Sequence, residues 1–130
     1  MNRRVFVQSN DLEILHKLHR DGKGPWETDH LEKYGPQKSP IGAWQDKEHE
    51  PRYLYTTTKG KVEDWCGKYY GGWDKGGFDD EIAEGSRLFC FDDDQEDCLW
   101  VYMQSKSNPS KITEWRGGGW KVTGLLPPDN

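Results

Sequence analysis

Three of the seven tryptophans, Trp26, Trp73 and Trp120, stand 47 residues apart, and each closes a glycine-bearing turn. The turns are Gly22-Lys23-Gly24-Pro25, Gly71-Gly72 and Gly117-Gly118-Gly119. A fixed period of this size marks a chain built of similar supersecondary units, none of which can bury its apolar face alone. Three further anchors keep the same order. Arg4-Val5-Phe6-Val7-Gln8 returns as Arg52-Tyr53-Leu54-Tyr55-Thr56 and as Trp100-Val101-Tyr102-Met103-Gln104, 48 residues on each time. The aliphatics leading Leu12-Glu13, Val62-Glu63-Asp64 and Ile112-Thr113-Glu114 fall 50 apart. Ser39-Pro40-Ile41-Gly42-Ala43-Trp44 returns 47 residues later as Ser86-Arg87-Leu88-Phe89-Cys90-Phe91. The units run over about 1–38, 39–85 and 86–130 of a single domain.

Composition removes the competing classes. With 32% hydrophobic residues the chain lacks the long aliphatic stripe of a helical bundle, and 13% aromatics is too rich for a disordered chain. The longest apolar run, Cys98 to Met103, is six residues, against about 20 for a spanning helix. Membrane insertion is therefore not expected. Lys and Arg number 18 against 23 Asp and Glu, interspersed, so no phosphate-tracking surface and no nucleic-acid partner are expected. No signal peptide is visible, which fits a protein that is cytoplasmic or secreted without one. Cys66, Cys90 and Cys98 are odd in number and lack metal-ligand spacing. Free thiols are the simpler reading, with a Cys90–Cys98 bridge open only if a hairpin sets them opposite. No metal and no cofactor are expected.

Arg52 to Thr57 and Cys98 to Gln104 have the β-branched and aromatic content of strands, and turn signals follow at Thr58-Lys59-Gly60 and Asn108-Pro109. Four short strands per unit of about 40–50 residues is the pattern of a β-propeller blade. The expected fold is all-β, a partial propeller of about three four-stranded blades. One segment argues otherwise. Asn10 to Gly22 has a capping start, Leu12, Leu15 and Leu18 at helical intervals, and a glycine stop. A helix over 11–20 would make the chain α+β; the repeat register makes the segment a strand.

The third unit carries Leu99 to Gln104, Lys111-Ile112-Thr113-Glu114-Trp115, and Gly117 to Gly124 with Trp120 at its centre. The second carries Arg52 to Tyr55, Lys61-Val62-Glu63-Asp64 and Gly72-Trp73-Asp74-Lys75-Gly76-Gly77-Phe78. Together these resemble the blade pattern of the fungal and bacterial fucose-binding lectins with a six-bladed propeller. There a blade reads approximately Ile-Arg-Val-Tyr-x-Gln, Lys-Ile-x-Glu, Gly-x-Trp-x-x-Gly. The resemblance implies a carbohydrate-binding lectin, for fucose or a related sugar, with sites between blades. Arg and Glu come from one blade and aromatics from the next. A tryptophan face covers the apolar C–H patch of a sugar, while guanidinium and carboxylate bond its hydroxyls.

Carried onto this chain, one pocket pairs Arg52 with Asp64 or Glu63 and sets Trp120, assisted by Trp115, against them. A second uses Arg4 with Trp73 and Tyr69; its aligned acidic position is Ile14, and the nearest carboxylate is Glu13. The third unit has Glu114, but Trp100 where the family has arginine. Asp64 in place of Glu shortens the reach by one methylene. The alternatives stay open that the repeated tryptophans are blade packing and the arginines salt-bridge residues.

Nothing in the sequence assembles a catalytic constellation, so no enzyme is expected. His16, His19, His30 and His49 form no cluster, the Asp79-Asp80-Glu81 run sits in a loop, and Phe91 to Asp97 lacks EF-hand spacing and reads as a solvated hairpin tip. Three blades do not close a ring, and the first has no Ser-led strand before it. A homo-oligomer completing the propeller is expected. A protein-interaction module on a propeller that has lost its pockets is the alternative function.

Overall fold

The computed structural model of the chain describes residues 2–45, 50–68, 71–93 and 98–127. Among them every regular element is a β-strand, and all pair antiparallel. The first sheet is β1 (Arg3–Gln8), β2 (Glu13–His19) and β3 (Glu27–Tyr34). The second is β4 (Ile41–Gln45), β5 (Pro51–Thr56), β6 (Lys61–Gly67) and β7 (Trp73–Lys75), with β8 (Asp80–Glu81) also pairing β6. The third is β9 (Phe89–Asp93), β10 (Cys98–Met103), β11 (Ile112–Arg116) and β12 (Lys121–Leu126). Each is a short up-and-down meander, the build of a propeller blade.

The helix alternative at 11–20 is overturned. Residues 13–19 are β2, which pairs with β1 from Arg3↔His19 to Gln8↔Ile14. The capping-like start is instead a tight turn. Leu12 N–H donates to Ser9 O at 3.0 Å, and Leu12 takes φ 74°, a left-handed conformation that a helix does not contain. Within β2 the alternate residues Ile14, His16 and Leu18 are buried. Their period of two wins over the leucine period of three because a second sheet lies against that face.

Two apolar layers hold the sheets together. Ile14 and Leu31 of the first sheet pack with Tyr53 and Tyr55 of the second, flanked by Phe6, Trp65 and Trp73. Leu54 and Val62 of the second, with Phe78 and Ile82 from the segment around β8, pack with Leu99, Val101 and Met103 of the third. On the inner side β4 runs beside both β1 and β9. A Cβ on Gly42 would overlap Cys90 Sγ, so only glycine lets β4 approach β9 this closely. The strand that β4 and β9 supply to their sheets has no counterpart before β1 among the described residues.

None of Cys66, Cys90 and Cys98 is in a disulfide. Cys90 faces Val101 and Cys98 faces Asp93 in the ladder, so the hairpin does not set the two thiols opposite each other. Burial pushes the Cys90 thiol up to about 12. The expected hairpin tip at 91–97 lies largely outside the described residues, and so does Tyr69. Among the described residues no group of three or more His, Cys, Asp or Glu could hold a metal ion, and no helix is long and apolar enough to cross a membrane.

Candidate functional site

Strand alternation decides which candidates can meet. In β5 and β6, Leu54, Val62 and Asp64 face the third sheet, whereas Tyr53, Tyr55, Glu63 and Trp65 face the first. Glu63 therefore cannot share a pocket with Asp64. Its Oε1 accepts from Tyr55 Oη and Trp65 Nε1, both at 3.3 Å, and its Oε2 lies 3.5 Å from Lys75 Nζ.

At the joint between the second and third sheets, Asp64 is buried with both oxygens engaged. Oδ1 accepts the Phe78 backbone N–H at 2.8 Å, and Oδ2 accepts Trp120 Nε1–H at 3.3 Å. Phe78 is itself buried, with Trp120 edge-on at 5.0 Å and Trp115 at 4.9 Å between ring centroids. Gly76 is needed here, because a Cβ would stand 2.6 Å from Asp64 Oδ1. Trp120 and Trp115 thus stand beside Asp64 and Phe78, as expected from the sequence for Trp120 and Asp64. Arg52 is half-buried at the same joint, opposite Cys66 in the ladder. The joint is held across the two blades by the Trp120–Asp64 hydrogen bond.

The joint between the first and second sheets is built differently. The ladder sets Phe6 opposite His16, Leu54 opposite Asp64 and Tyr102 opposite Glu114. The residue matching Asp64 and Glu114 is thus His16, and neither Ile14 nor Glu13 takes that place. Glu13 faces elsewhere: its Oε1 pairs with His30 Nδ1 at 3.0 Å and its Oε2 accepts Glu32 N–H at 3.0 Å. Phe6 and His16 stand as far apart in sequence as Leu54 and Asp64, so the 48-residue period of the strand motifs leads to His16, whereas the 50-residue period of Leu12, Val62 and Ile112 stops two residues short, at Ile14 on the same face of the strand.

Arg4 Nη1 donates to His16 Nε2 at 3.1 Å. A guanidinium only donates, so Nε2 is the acceptor and the ring proton sits on Nδ1. That Nδ1, buried and with no hydrogen-bond partner, lies 3.6 Å from Asp29 Oδ2 of β3. The same Asp29 oxygen accepts Trp73 Nε1–H from the second sheet at 3.3 Å. Trp73 also packs edge-on against His16 and Tyr53, at 5.5 and 5.1 Å between centroids, and His16 stacks on Phe6 at 4.8 Å. Burial, and then the Arg4 charge, hold the His16 imidazole below its ordinary pKa, against the pull of Asp29.

These residues line a cleft of about 760 Å³ whose rim carries Arg20, Glu27, Glu50 and Lys68. Arg20 is paired with Glu27 at 2.7 Å and Lys68 with Asp74 at 2.8 Å. The Asp29 side chain is 53% exposed, so a carboxylate oxygen can meet a ligand. The cleft thus joins a guanidinium, a carboxylate and an indole, the donor, acceptor and apolar surface that a sugar needs. Sequence reasoning selected Arg4 and Trp73 and missed His16 and Asp29. Asp29, in a strand with no counterpart motif, left no signal.

The outer faces of the first and third sheets also carry aromatic and charged groups. On the third sheet Glu114 Oε2 accepts Tyr102 Oη at 2.8 Å, Oε1 accepts Thr123 Oγ1 at 2.8 Å, and Arg116 lies over the Trp100 ring at 5.7 Å. Phe89 and Phe91 are exposed beside them. On the first sheet Trp26, 45% exposed, stacks on His19 at 4.9 Å beneath Arg3.

Three meander sheets, packed face to face with their inner strands together, form a partial β-propeller, and the chain is structurally similar to fucose-specific lectins of that type. A fucose lectin from Kordia zhangzhouensis, solved with methyl-fucoside, aligns over 94% of this chain and 89% of its own, at 15% identity and a TM-score of 0.67. The SapL1 lectin, solved with alpha methyl fucoside, aligns over 97% of this chain at 28% identity and a TM-score of 0.78. The fucose-specific lectin from Aleuria aurantia aligns over 96% at 22% identity and a TM-score of 0.77. The chain spans 44% of SapL1 and 39% of the Aleuria lectin. No protein-family model matches the sequence, and no curated protein matches it in sequence comparison.

Proposed function

We propose that this chain is a carbohydrate-binding lectin that takes fucose or a related sugar in the cleft between its first two blades. The observation that carries the reading is Trp73 of the second blade standing across that cleft from Arg4 and Asp29 of the first. Trp73 covers the apolar patch of the sugar, Arg4 donates to hydroxyl and ring oxygens, and Asp29 accepts from hydroxyls. The similar structures solved with methyl fucosides support the sugar class. Titration calorimetry with methyl α-L-fucoside, followed by a glycan array, tests it. Binding that falls at least tenfold in Arg4→Ala and Trp73→Ala, with the circular dichroism unchanged, is expected. No binding of any glycan at millimolar sugar overturns it.

The outer faces support assembly with a second copy. The third blade offers Tyr102, Glu114, Phe89 and Phe91, and the first offers Trp26 at the place Trp73 and Trp120 hold in theirs. Docking Trp26 of one copy on Glu114 of another repeats the joints within the chain and covers both faces. Light scattering that gives a strict monomer at every concentration rejects the oligomer. The Asp64 carboxylate, held by Phe78 N–H and Trp120 Nε1–H, favours a second reading, in which a blade contact serves assembly alone; a protein partner that free sugars do not displace is its mark.

A further inference from the structure

At the His16 position the first joint departs chemically from the second: an imidazole stands where β6 and β11 carry a carboxylate. It touches both polar groups assigned to the ligand. Nε2 holds Arg4, and Nδ1 faces the Asp29 oxygen that also binds Trp73. We propose that His16 is a proton switch for this cleft, competent when the imidazole is neutral and dismantled when it is protonated. The proposal deepens the sugar reading and rests on it for the identity of the ligand.

A proton on Nε2 turns the acceptor into a donor. The hydrogen bond from Arg4 then becomes two N–H groups facing each other across 3.1 Å, each on a cation. The imidazolium meanwhile attracts Asp29, 3.6 Å away, and competes with Trp73 Nε1 for the same carboxylate oxygen. One proton thus displaces the guanidinium, withdraws the carboxylate and frees the indole. Phe6, stacked on both the His16 ring and Tyr53, covers one face of the buried imidazole.

The charged and titratable groups facing His16 come from every neighbouring element. Arg4 of β1 opposes the second proton; Arg20, just after β2, lines the same cleft and is paired with Glu27 of β3 at 2.7 Å. Asp29 of β3 favours it. From the second blade, Tyr53 stays neutral, its hydroxyl pushed well above the ordinary range by burial. Glu50 and Lys68 stand on the cleft rim, Lys68 held by Asp74. Burial and Arg4 outweigh Asp29, which keeps the resting ring neutral at neutral pH.

The test follows the Trp73 indole N–H by ¹H–¹⁵N NMR from pH 8 to pH 5, with Trp73→Phe assigning the peak, alongside calorimetry with methyl α-L-fucoside. The indole peak should move with the His16 ring titration, and the sugar affinity should fall about tenfold per pH unit below the His16 midpoint, one proton being linked to binding. In His16→Gln, whose amide oxygen can still accept from Arg4 and cannot titrate, both dependences should vanish. An indole peak that stays still while His16 titrates overturns the switch whatever the sugar does, and this readout needs no variant of His16. Equal pH dependence of sugar binding in the wild type and His16→Gln also overturns it. A moving peak with no sugar bound at any pH removes the sugar reading and leaves the switch standing.

Discussion

Trp120 donates its indole N–H to Asp64 Oδ2 at 3.3 Å, joining two blades across 56 residues of sequence. The same Asp64 carboxylate accepts the Phe78 backbone N–H, so one short side chain closes a loop and pins a neighbouring blade. Arg52, Asp64 and Trp120 resemble a sugar pocket in sequence, yet at this joint Asp64 and Trp120 satisfy each other.

Removing the Asp64 carboxylate leaves two donors without their acceptor. Asp64→Ala should lower stability by about 3 kcal/mol, since each unpaired buried polar group costs roughly 1–3 kcal/mol. A urea titration reads this as a lower midpoint. Sugar affinity per folded molecule should stay within about twofold of the wild type, because the first cleft does not use Asp64.

Trp73 and Trp120 occupy matching ladder positions, yet the two substitutions should part in their effects. Trp73→Ala should abolish most sugar binding. Trp120→Ala, which opens a hole beside buried Phe78, should cost about 3 kcal/mol of stability and leave the sugar affinity nearly intact. Calorimetry and denaturation of both variants separate the roles, and equal loss of affinity in both contradicts the assignment.

The inner strands touch at Gly42 and Cys90. Gly42→Ala should destabilise by roughly 1–3 kcal/mol through overpacking. Cys90→Ala in the same chain removes the clashing sulfur and should restore part of the loss, so a double-mutant cycle should return a favourable coupling. Strictly additive effects argue against the close approach of β4 and β9.

Two histidines give stability opposite dependences on pH. His16 binds its proton more weakly folded than unfolded, so its unfolded state takes up protons first and stability declines as pH falls below about 6.5. The Glu13 carboxylate raises His30, whose contribution is present below about 6.5 and is lost as pH rises through its folded value. Between pH 7.5 and 5.5, His16→Gln should therefore lose less stability on acidification than the wild type, and His30→Gln should lose more. Urea midpoints at the two pH values measure both.

Local pattern carried the all-β class, the strands over 52–57 and 98–104, and the choice of Arg4 and Trp73, because period-two alternation and glycine turns act over a few residues. It could not assign residues 13–19 to strand without a register, since Leu12, Leu15 and Leu18 fit a helix equally well. Nor could it tell Glu63 from Asp64, or find His16 and Asp29. Those depend on the pairing register of each hairpin and on which face of each strand meets a neighbouring sheet. The tryptophans at 47-residue spacing therefore have more than one role. The sequence by itself determined that three indoles follow three glycine turns. Only the packing of blade on blade decided that Trp120 bonds Asp64, that Trp26 faces outward, and that Trp73 lines a cleft with Asp29. The physical reason is that burial and hydrogen-bond partners belong to the pair of sheets, not to the strand that carries the side chain.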